Sequence, residues 1–116
     1  MINFNTTLRT NGKGYWSNRA CAVEVTKLSM PYVNDEGDFG ELRVYFNTDT
    51  WDTGEDGLIY TDPQFKAELR SALTVAGFNA RDISYSEQGM QGSNFVSLDV
   101  DEGFINSWTN IVGINA

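Results

Sequence analysis

Residues 39–78 carry the sequence FGELRVYFNTDTWDTGEDGLIYTDPQFKAELRSALTVAGF, around which the rest of the fold is built. This stretch predicts a strand over 39–48, an acidic loop over 49–60 and an amphipathic helix over 63–76. In the strand, apolar and polar side chains alternate with a period of two, and this alternation places one face on a core. The apolar positions are Leu42, Val44 and Phe46.

The predicted helix has an apolar stripe and a clear starting signal. Asp62 precedes Pro63, an order typical of a helix start, because a proline at the first helical position loses no hydrogen bond. Thr61 and Gln64 form a competing capping box, which leaves the start open by one residue. The stripe consists of apolar residues at helical spacing: Phe65, Leu69, Ala72, Leu73 and Ala76.

Glycine and aspartate mark two further helix ends. Gly77 predicts a left-handed residue after the first helix, and Phe78 is placed to fold back on Leu73, as in a Schellman ending. Asp101 can cap a second, short helix near the C-terminus. The apolar residues of that helix share one face: Phe104, Ile105, Trp108 and Ile111.

Four more segments alternate in the manner of strands. They cover residues 2–9, 19–28, 82–85 and 94–100. The predicted order is therefore β-β-β-α-β-β-α, and we expect a single domain over 1–116. The fold class is α+β: an antiparallel sheet of about five strands, with one main helix and a short C-terminal helix packed on it.

Details of the strands leave two alternatives open. Residues 30–33 either extend the second strand or break it at Pro31, because proline cannot donate to a ladder. An acidic turn is predicted over 34–38. Tyr45 and Phe95 point away from the core, and either a helix covers that face or the face is a contact surface. In the last strand we expect Val96, Leu98 and Val100 inward and Phe95, Ser97 and Asp99 outward.

Composition restricts the class of protein and its compartment. The chain has 116 residues, of which 41% are hydrophobic, and this is typical of a globular domain. It contains no apolar run long enough to span a membrane, and its N-terminus lacks the pattern of a secretory signal. Cys21 is the single cysteine, which excludes an internal disulfide and favours a reducing compartment. We therefore expect a cytoplasmic protein. The neighbours of Cys21 are the apolar residues Ala20, Ala22 and Val23, which favours a small buried hydrophobe over a reactive thiol.

The net charge of −8 is concentrated in one part of the sequence. Residues 35–62 contain nine acids, and Arg43 is the only base among them. The remaining residues balance at seven acids against seven bases. This asymmetry argues against direct binding to nucleic acids, whose backbones require positive charge, and it favours a basic partner, a cation or solubility.

The residue types argue against catalysis. Without histidine, the chain lacks the commonest general base and the commonest zinc ligand, and a single cysteine cannot form a thiolate zinc site. The glycines form neither a Walker loop nor a dinucleotide-binding fingerprint. Paired carboxylates could still act as acid and base, but clustered acids on a loop are usually a solvated surface. We therefore expect no enzymatic activity and no cofactor.

The acidic loop resembles part of a calcium-binding EF-hand loop, which provides an alternative function. Asp52 matches the first position, Asp56 the fifth and Gly57 the turn glycine. Gly54 stands where a side-chain ligand is needed, and Pro63 stands where a bidentate glutamate is required. Under this alternative the protein is a calcium-binding structural module; otherwise the segment is an acidic turn. The candidate ligands are Asp49, Asp52, Glu55 and Asp56.

Two apolar side chains could take part in binding. Trp16, Trp51 and Trp108 are either core residues or, in the case of Trp51, an exposed anchor between Asp49 and Asp52. Met90 lies in a glycine-punctuated loop over 87–92. It either packs onto the sheet or forms a secondary contact.

Two segments near the C-terminus resemble known proteins. Residues 85–92, YSEQGMQG, and 95–100, FVSLDV, are similar to uncharacterised small proteins encoded by tailed phages. This resemblance covers about a seventh of the chain. It implies that the chain is a phage accessory protein, a class whose small acidic members often bind and inhibit a host protein, some by mimicking the charge of DNA.

The sequence therefore favours a non-catalytic protein that binds and inhibits a basic host protein. That partner would be a nucleic-acid-binding or defence factor, and the acidic segment over 35–62 would contact it. We expect no membrane association, and location in the host cytoplasm if the protein is phage-encoded. The candidate binding residues are Asp35, Glu36, Asp38, Asp49, Trp51, Asp52, Glu55, Asp56 and Met90.

Overall fold

A computed structural model describes residues 2–9, 22–47, 63–85 and 95–113 of the chain. Its elements are β1 (Ile2–Arg9), β2 (Ala22–Val33), β3 (Phe39–Phe46), α1 (Pro63–Val75), β4 (Ser84–Tyr85), β5 (Phe95–Asp101) and α2 (Glu102–Ile111). Neither helix of these described ranges has the length and hydropathy needed to cross a membrane.

The strands form one antiparallel sheet in the order β1-β2-β3-β5-β4. The first three form an antiparallel meander. The whole of β5 then pairs with β3, from Phe39 opposite Asp101 to Tyr45 opposite Phe95. The edge strand β4 has only two residues. The predicted α+β class, with an antiparallel sheet and two helices, is confirmed.

Both helices pack on the same face of the sheet. The alternation in β3 is confirmed, since Leu42, Val44 and Phe46 are buried while the residues between them are partly exposed. The core combines these side chains with those of the neighbouring strands and with the apolar stripes of the helices. Its helical members are Phe65, Leu69, Leu73, Phe104, Ile105 and Trp108.

The structure decides whether residues 30–33 extend the second strand or break it at Pro31. The strand continues through Pro31 to Val33, and the register shifts between Ser29 and Tyr32. This irregularity accommodates a proline that has no N–H for the ladder. Two neighbouring predictions were too long: β3 ends at Phe46 and α1 at Val75.

The helix ends are formed by the predicted residues. Gly77 has a φ of +99°, and the N–H of Phe78 donates to the carbonyl of Leu73 at 3.0 Å, which completes a Schellman ending. At the start of α2, the carboxylate of Asp101 accepts from the N–H of Phe104 at 3.0 Å. The capping predictions for Asp62 and Thr61 lie outside the described residues.

Two side chains differ from their predicted environment. Ser97 was expected outward, and it lies on that face, but it is only 2% exposed. It stands opposite Arg43, whose long side chain can shield a small neighbour. Ile111 was expected to share the buried face of α2, but it is 47% exposed, because it lies at the end of the helix near Gly77.

The strand predicted over 82–85 is shorter in the structure. Strand β4 begins at Ser84, since Asp82 belongs to the preceding turn.

Candidate functional site

The turn between β2 and β3 is held by a single asparagine. The side-chain oxygen of Asn34 accepts from the N–H groups of Asp38 and Phe39, at 3.0 and 3.1 Å. The main-chain N–H of Asn34 donates to the carbonyl of Phe39 at 2.9 Å. Gly37 supplies a φ of +72°, which a residue with a Cβ rarely adopts. The predicted acidic turn is therefore confirmed, and it is fixed by local hydrogen bonds.

Three acidic side chains project from this turn. Asp35, Glu36 and Asp38 are all exposed. The carboxylate of Asp38 accepts a hydrogen bond from the side-chain amide of Asn34, which fixes its position at the tip of the hairpin. These carboxylates carry the same charge and are exposed to water. Together they create a negative electrostatic potential at this end of the sheet.

An exposed aromatic pair lies directly beside the acidic turn. The rings of Tyr32 and Phe39 meet edge to face, with centroids 6.4 Å apart. Tyr32 is 52% exposed and Phe39 is 45% exposed. Val33 is 40% exposed as well, but it stands opposite Gly40 and therefore lies on the core side of the sheet. Large apolar side chains grouped at the surface and rimmed by charge are typical of interaction sites. We call the aromatic pair and the exposed acids of the turn the hairpin surface: Tyr32, Asp35, Glu36, Asp38 and Phe39.

A glycine allows the two strands to approach each other behind the aromatic pair. A Cβ on Gly40 would lie 2.8 Å from the carbonyl oxygen of Tyr32 and 3.4 Å from side-chain atoms of Val100 and Ile105. The position therefore has no room for a side chain. Gly40 therefore lies between the main chain of Tyr32 and the core side chains of Val100 and Ile105.

The negative charge continues from the hairpin surface onto the neighbouring strand. The register places Asp101 opposite Phe39 and Asp99 opposite Glu41. Glu102, the first residue of α2, is exposed beside them. Residues opposite each other in an antiparallel pair share a face, so carboxylates from two strands flank the aromatic pair.

The only base between residues 35 and 62 is fixed further along the sheet. The Nε of Arg43 lies 2.5 Å from a carboxylate oxygen of Glu41. Its guanidinium also lies over the ring of Phe95, 4.8 Å from the centroid, and that ring packs against Tyr45 at 5.4 Å. The hydrogen bond to Glu41 raises the pKa of Arg43. Arg43 therefore pairs with a sheet residue and does not neutralise the acidic turn.

The packing of Arg43, Tyr45 and Phe95 bears on whether a helix covers the outer face of the sheet or leaves it as a contact surface. Tyr45 and Phe95 do lie on the face opposite the core, and both helices of the described residues pack on the other side. The aromatic and arginine side chains of that face cover one another, and Tyr45 and Phe95 are only partly exposed. The larger exposed aromatic area is therefore at the hairpin surface.

The structure brings together three of the predicted binding residues. Asp35, Glu36 and Asp38 form the rim of the hairpin surface. Tyr32 and Phe39 were missed by sequence reasoning, although their positions on either side of an acidic turn were a usable signal. Six predicted residues lie outside the described residues: Asp49, Trp51, Asp52, Glu55, Asp56 and Met90. Cys21 and Trp16 lie outside as well, whereas Trp108 is a core residue.

The predicted calcium site also lies outside the described residues, since its four candidate ligands fall between 49 and 56. Within the described ranges, no group of three or more acidic or cysteine side chains is arranged to hold a metal ion. The calcium alternative therefore stays a prediction from the sequence.

Comparison with known proteins adds no relative to this description. No protein family, no curated protein and no solved structure matches the chain.

Proposed function

We propose that the protein is a non-catalytic interaction protein whose hairpin surface binds a basic partner protein. The observation that carries this proposal is the exposed pair of Tyr32 and Phe39 within a rim of carboxylates. Aromatic side chains supply the central anchors of many interfaces, while charged residues lie at the rim.

The aromatic pair supplies contact area for binding. About half of each ring residue is exposed, which leaves about 200 Å² available for burial. At about 25 cal/mol per Å², burial of this area would contribute about 5 kcal/mol before the costs of association. Since the two rings already pack against each other, their ordering adds little to those costs.

The acidic rim determines which partner fits. Residues 35–47 contain four acids and one base, and that base is paired with Glu41. A basic protein would be attracted over several ångströms, and its lysine or arginine side chains could lie over the aromatic rings. An acidic partner or a nucleic-acid backbone would be repelled. The association rate should therefore fall as the salt concentration rises.

The biological setting of this proposal is a phage-encoded inhibitor of a host protein. The support comes from the resemblance of residues 85–100 to phage accessory proteins and from the charge of the chain. A host protein that binds nucleic acids carries a basic surface, and an acidic protein bound there would block it. Five further acids in the sequence, between 48 and 62, lie outside the described residues.

The experiment uses the protein to capture partners from a host lysate and then measures affinity with the purified captured protein. A rim variant combines Asp35→Asn and Glu36→Gln. A matched control combines Glu24→Gln and Asp82→Asn, which changes the net charge equally at positions away from the hairpin surface. Thermal melting verifies that both variants remain folded.

The proposal predicts that the captured protein is basic and that the rim variant binds at least tenfold more weakly than the control. Tyr32→Ala and Phe39→Ala should each weaken binding by about tenfold or more, as expected for interface anchors. Equal losses in the rim variant and the control would mean that only net charge matters. Full affinity in the rim variant would defeat the proposed site.

A further inference from the structure

The sheet face opposite the helices holds an arginine of the chain itself on an aromatic ring. The guanidinium of Arg43 lies 4.8 Å from the centroid of the Phe95 ring. That ring packs on Tyr45, with centroids 5.4 Å apart, and the guanidinium donates to the carboxylate of Glu41. The site of this arginine therefore consists of an aromatic pair with a carboxylate beside it.

The hairpin surface repeats these components on the same face. Tyr32 and Phe39 form another aromatic pair, with centroids 6.4 Å apart. Each of them stands opposite an acid of the adjacent strand: Tyr32 is opposite Glu41, and Phe39 is opposite Asp101. Opposite residues of an antiparallel pair lie close together on one face, so a cation on either ring would be near a carboxylate.

The rings of the hairpin surface are more open than the ring that carries Arg43. Phe95 is only partly exposed beneath the guanidinium, whereas Tyr32 and Phe39 are 52% and 45% exposed. Their planes meet at 64°, and in such a pair the ring that supplies its edge keeps its faces clear of the other ring. Residues 28–42 contain no lysine or arginine, so the hairpin supplies no cation of its own to these rings.

The acids opposite the two rings can accept further hydrogen bonds. Glu41 accepts from Arg43, and Asp101 accepts from the N–H of Phe104 at the start of α2. A carboxylate has two oxygens with about four acceptor positions, so these bonds leave capacity on both side chains. Both carboxylates are therefore available to an incoming donor.

We propose that the basic partner places an arginine side chain on the Tyr32–Phe39 pair, in the way that Arg43 lies on Phe95. This inference rests on the proposed function, since it names the side chain that the hairpin surface recognises. A guanidinium is planar and weakly hydrated, so it stacks on a ring while its N–H groups reach carboxylates in its own plane. A lysine ammonium is a strongly hydrated point charge and satisfies these demands less well.

The probes are short glycine-serine peptides that carry two arginines, two lysines or two citrullines. Citrulline keeps the shape of arginine without its charge. Binding to the full chain is followed by amide chemical shifts. We expect saturable binding of the arginine peptide, with shift changes in residues 32–41. The affinity should be at least about threefold lower for the lysine peptide and at least about tenfold lower for the citrulline peptide.

Variants of the aromatic pair test the rings themselves. Tyr32→Leu combined with Phe39→Leu removes both rings and keeps apolar side chains, and it should weaken binding of the arginine peptide at least about tenfold. Tyr32→Phe keeps both rings and is the matched control, so it should change the affinity less than about twofold. Thermal melting verifies folding. If the double variant is unfolded, the single leucine variants replace it, and at least one should weaken binding about fivefold or more.

Two results would overturn the arginine anchor. Equal affinity for the arginine and lysine peptides, with shift changes in residues 32–41, would show attraction to any cation, and the proposed function would stand. Binding of the arginine peptide that does not saturate, or that is unchanged by loss of both rings, would show that the pair does not hold arginine. The proposed function would then still be decided separately, by the affinity of the rim variant for the captured protein.

Discussion

Replacement of Gly40 by alanine tests how the fold supports the hairpin surface. The new Cβ would lie 2.8 Å from the carbonyl oxygen of Tyr32, about 0.6 Å inside ordinary van der Waals contact. The obstacle is main chain in the neighbouring strand, so it cannot rotate away. Side-chain atoms of Val100 and Ile105, both at 3.4 Å, oppose movement toward the core. The β2–β3 pairing therefore has to separate locally.

The expected loss follows from two opposing contributions. Overpacking of a filled site costs about 1–3 kcal/mol. Removal of a glycine from the unfolded chain contributes about 0.4–1 kcal/mol in the opposite direction. We expect Gly40→Ala to lower the free energy of unfolding by about 1–2 kcal/mol, and to lower Tm by about 4–8 °C. Chemical denaturation and thermal melting measure both quantities.

Gly103→Ala is the matched control for this prediction. Its Cβ would lie 2.7 Å from the side-chain nitrogen of Asn79, a contact as short as that at Gly40. A side chain can move, and alanine favours the helix by about 0.5–1 kcal/mol over glycine. Gly103→Ala should therefore change stability little. If Gly40→Ala is as stable as the wild type, or loses no more than Gly103→Ala, the argument from the Tyr32 carbonyl is wrong.

Three further predictions concern the helix ends and the acidic loop. Asp101→Ala should lower the free energy of unfolding by about 1 kcal/mol, measured by chemical denaturation, because the N–H of Phe104 loses its cap; no loss would contradict the capping role. Gly77→Ala should cost about 1–2 kcal/mol in the same assay, since a φ of +99° is unfavourable for alanine. Millimolar calcium should leave Tm unchanged if the loop over 49–60 is a plain acidic turn, whereas a calcium-dependent rise would favour the metal site through mass action.

Much of the fold could be predicted from local patterns. The alternation in β3 and the apolar stripe of α1 are confirmed. Each element buries one face, and the spacing of its apolar residues in the sequence identifies that face. Gly77 and Asp101 were recognisable because helix ends require particular residue types. The pairing of β5 with β3 could not be predicted in this way. It depends on contacts between segments that are far apart in the sequence, for which no local pattern exists.

The hairpin surface was predicted only in part, for a physical reason. Its acids are visible in the sequence as a charged turn. Tyr32 is different: strict alternation from Leu28 would place it on the core face. The register shift between Ser29 and Tyr32 instead sets Tyr32 opposite Glu41, on the outer face beside Phe39. Such a shift reverses every later side chain of the strand, and a single sequence does not reveal it.

Hydrogen exchange in the bound state tests the central claim most directly. Amide exchange is measured for the protein alone and for its complex with the captured basic partner. The account predicts slower exchange on binding in residues 32–41, which contain the hairpin surface. Unchanged exchange in residues 32–41, with protection elsewhere in the chain, would contradict the claim that this surface binds the partner.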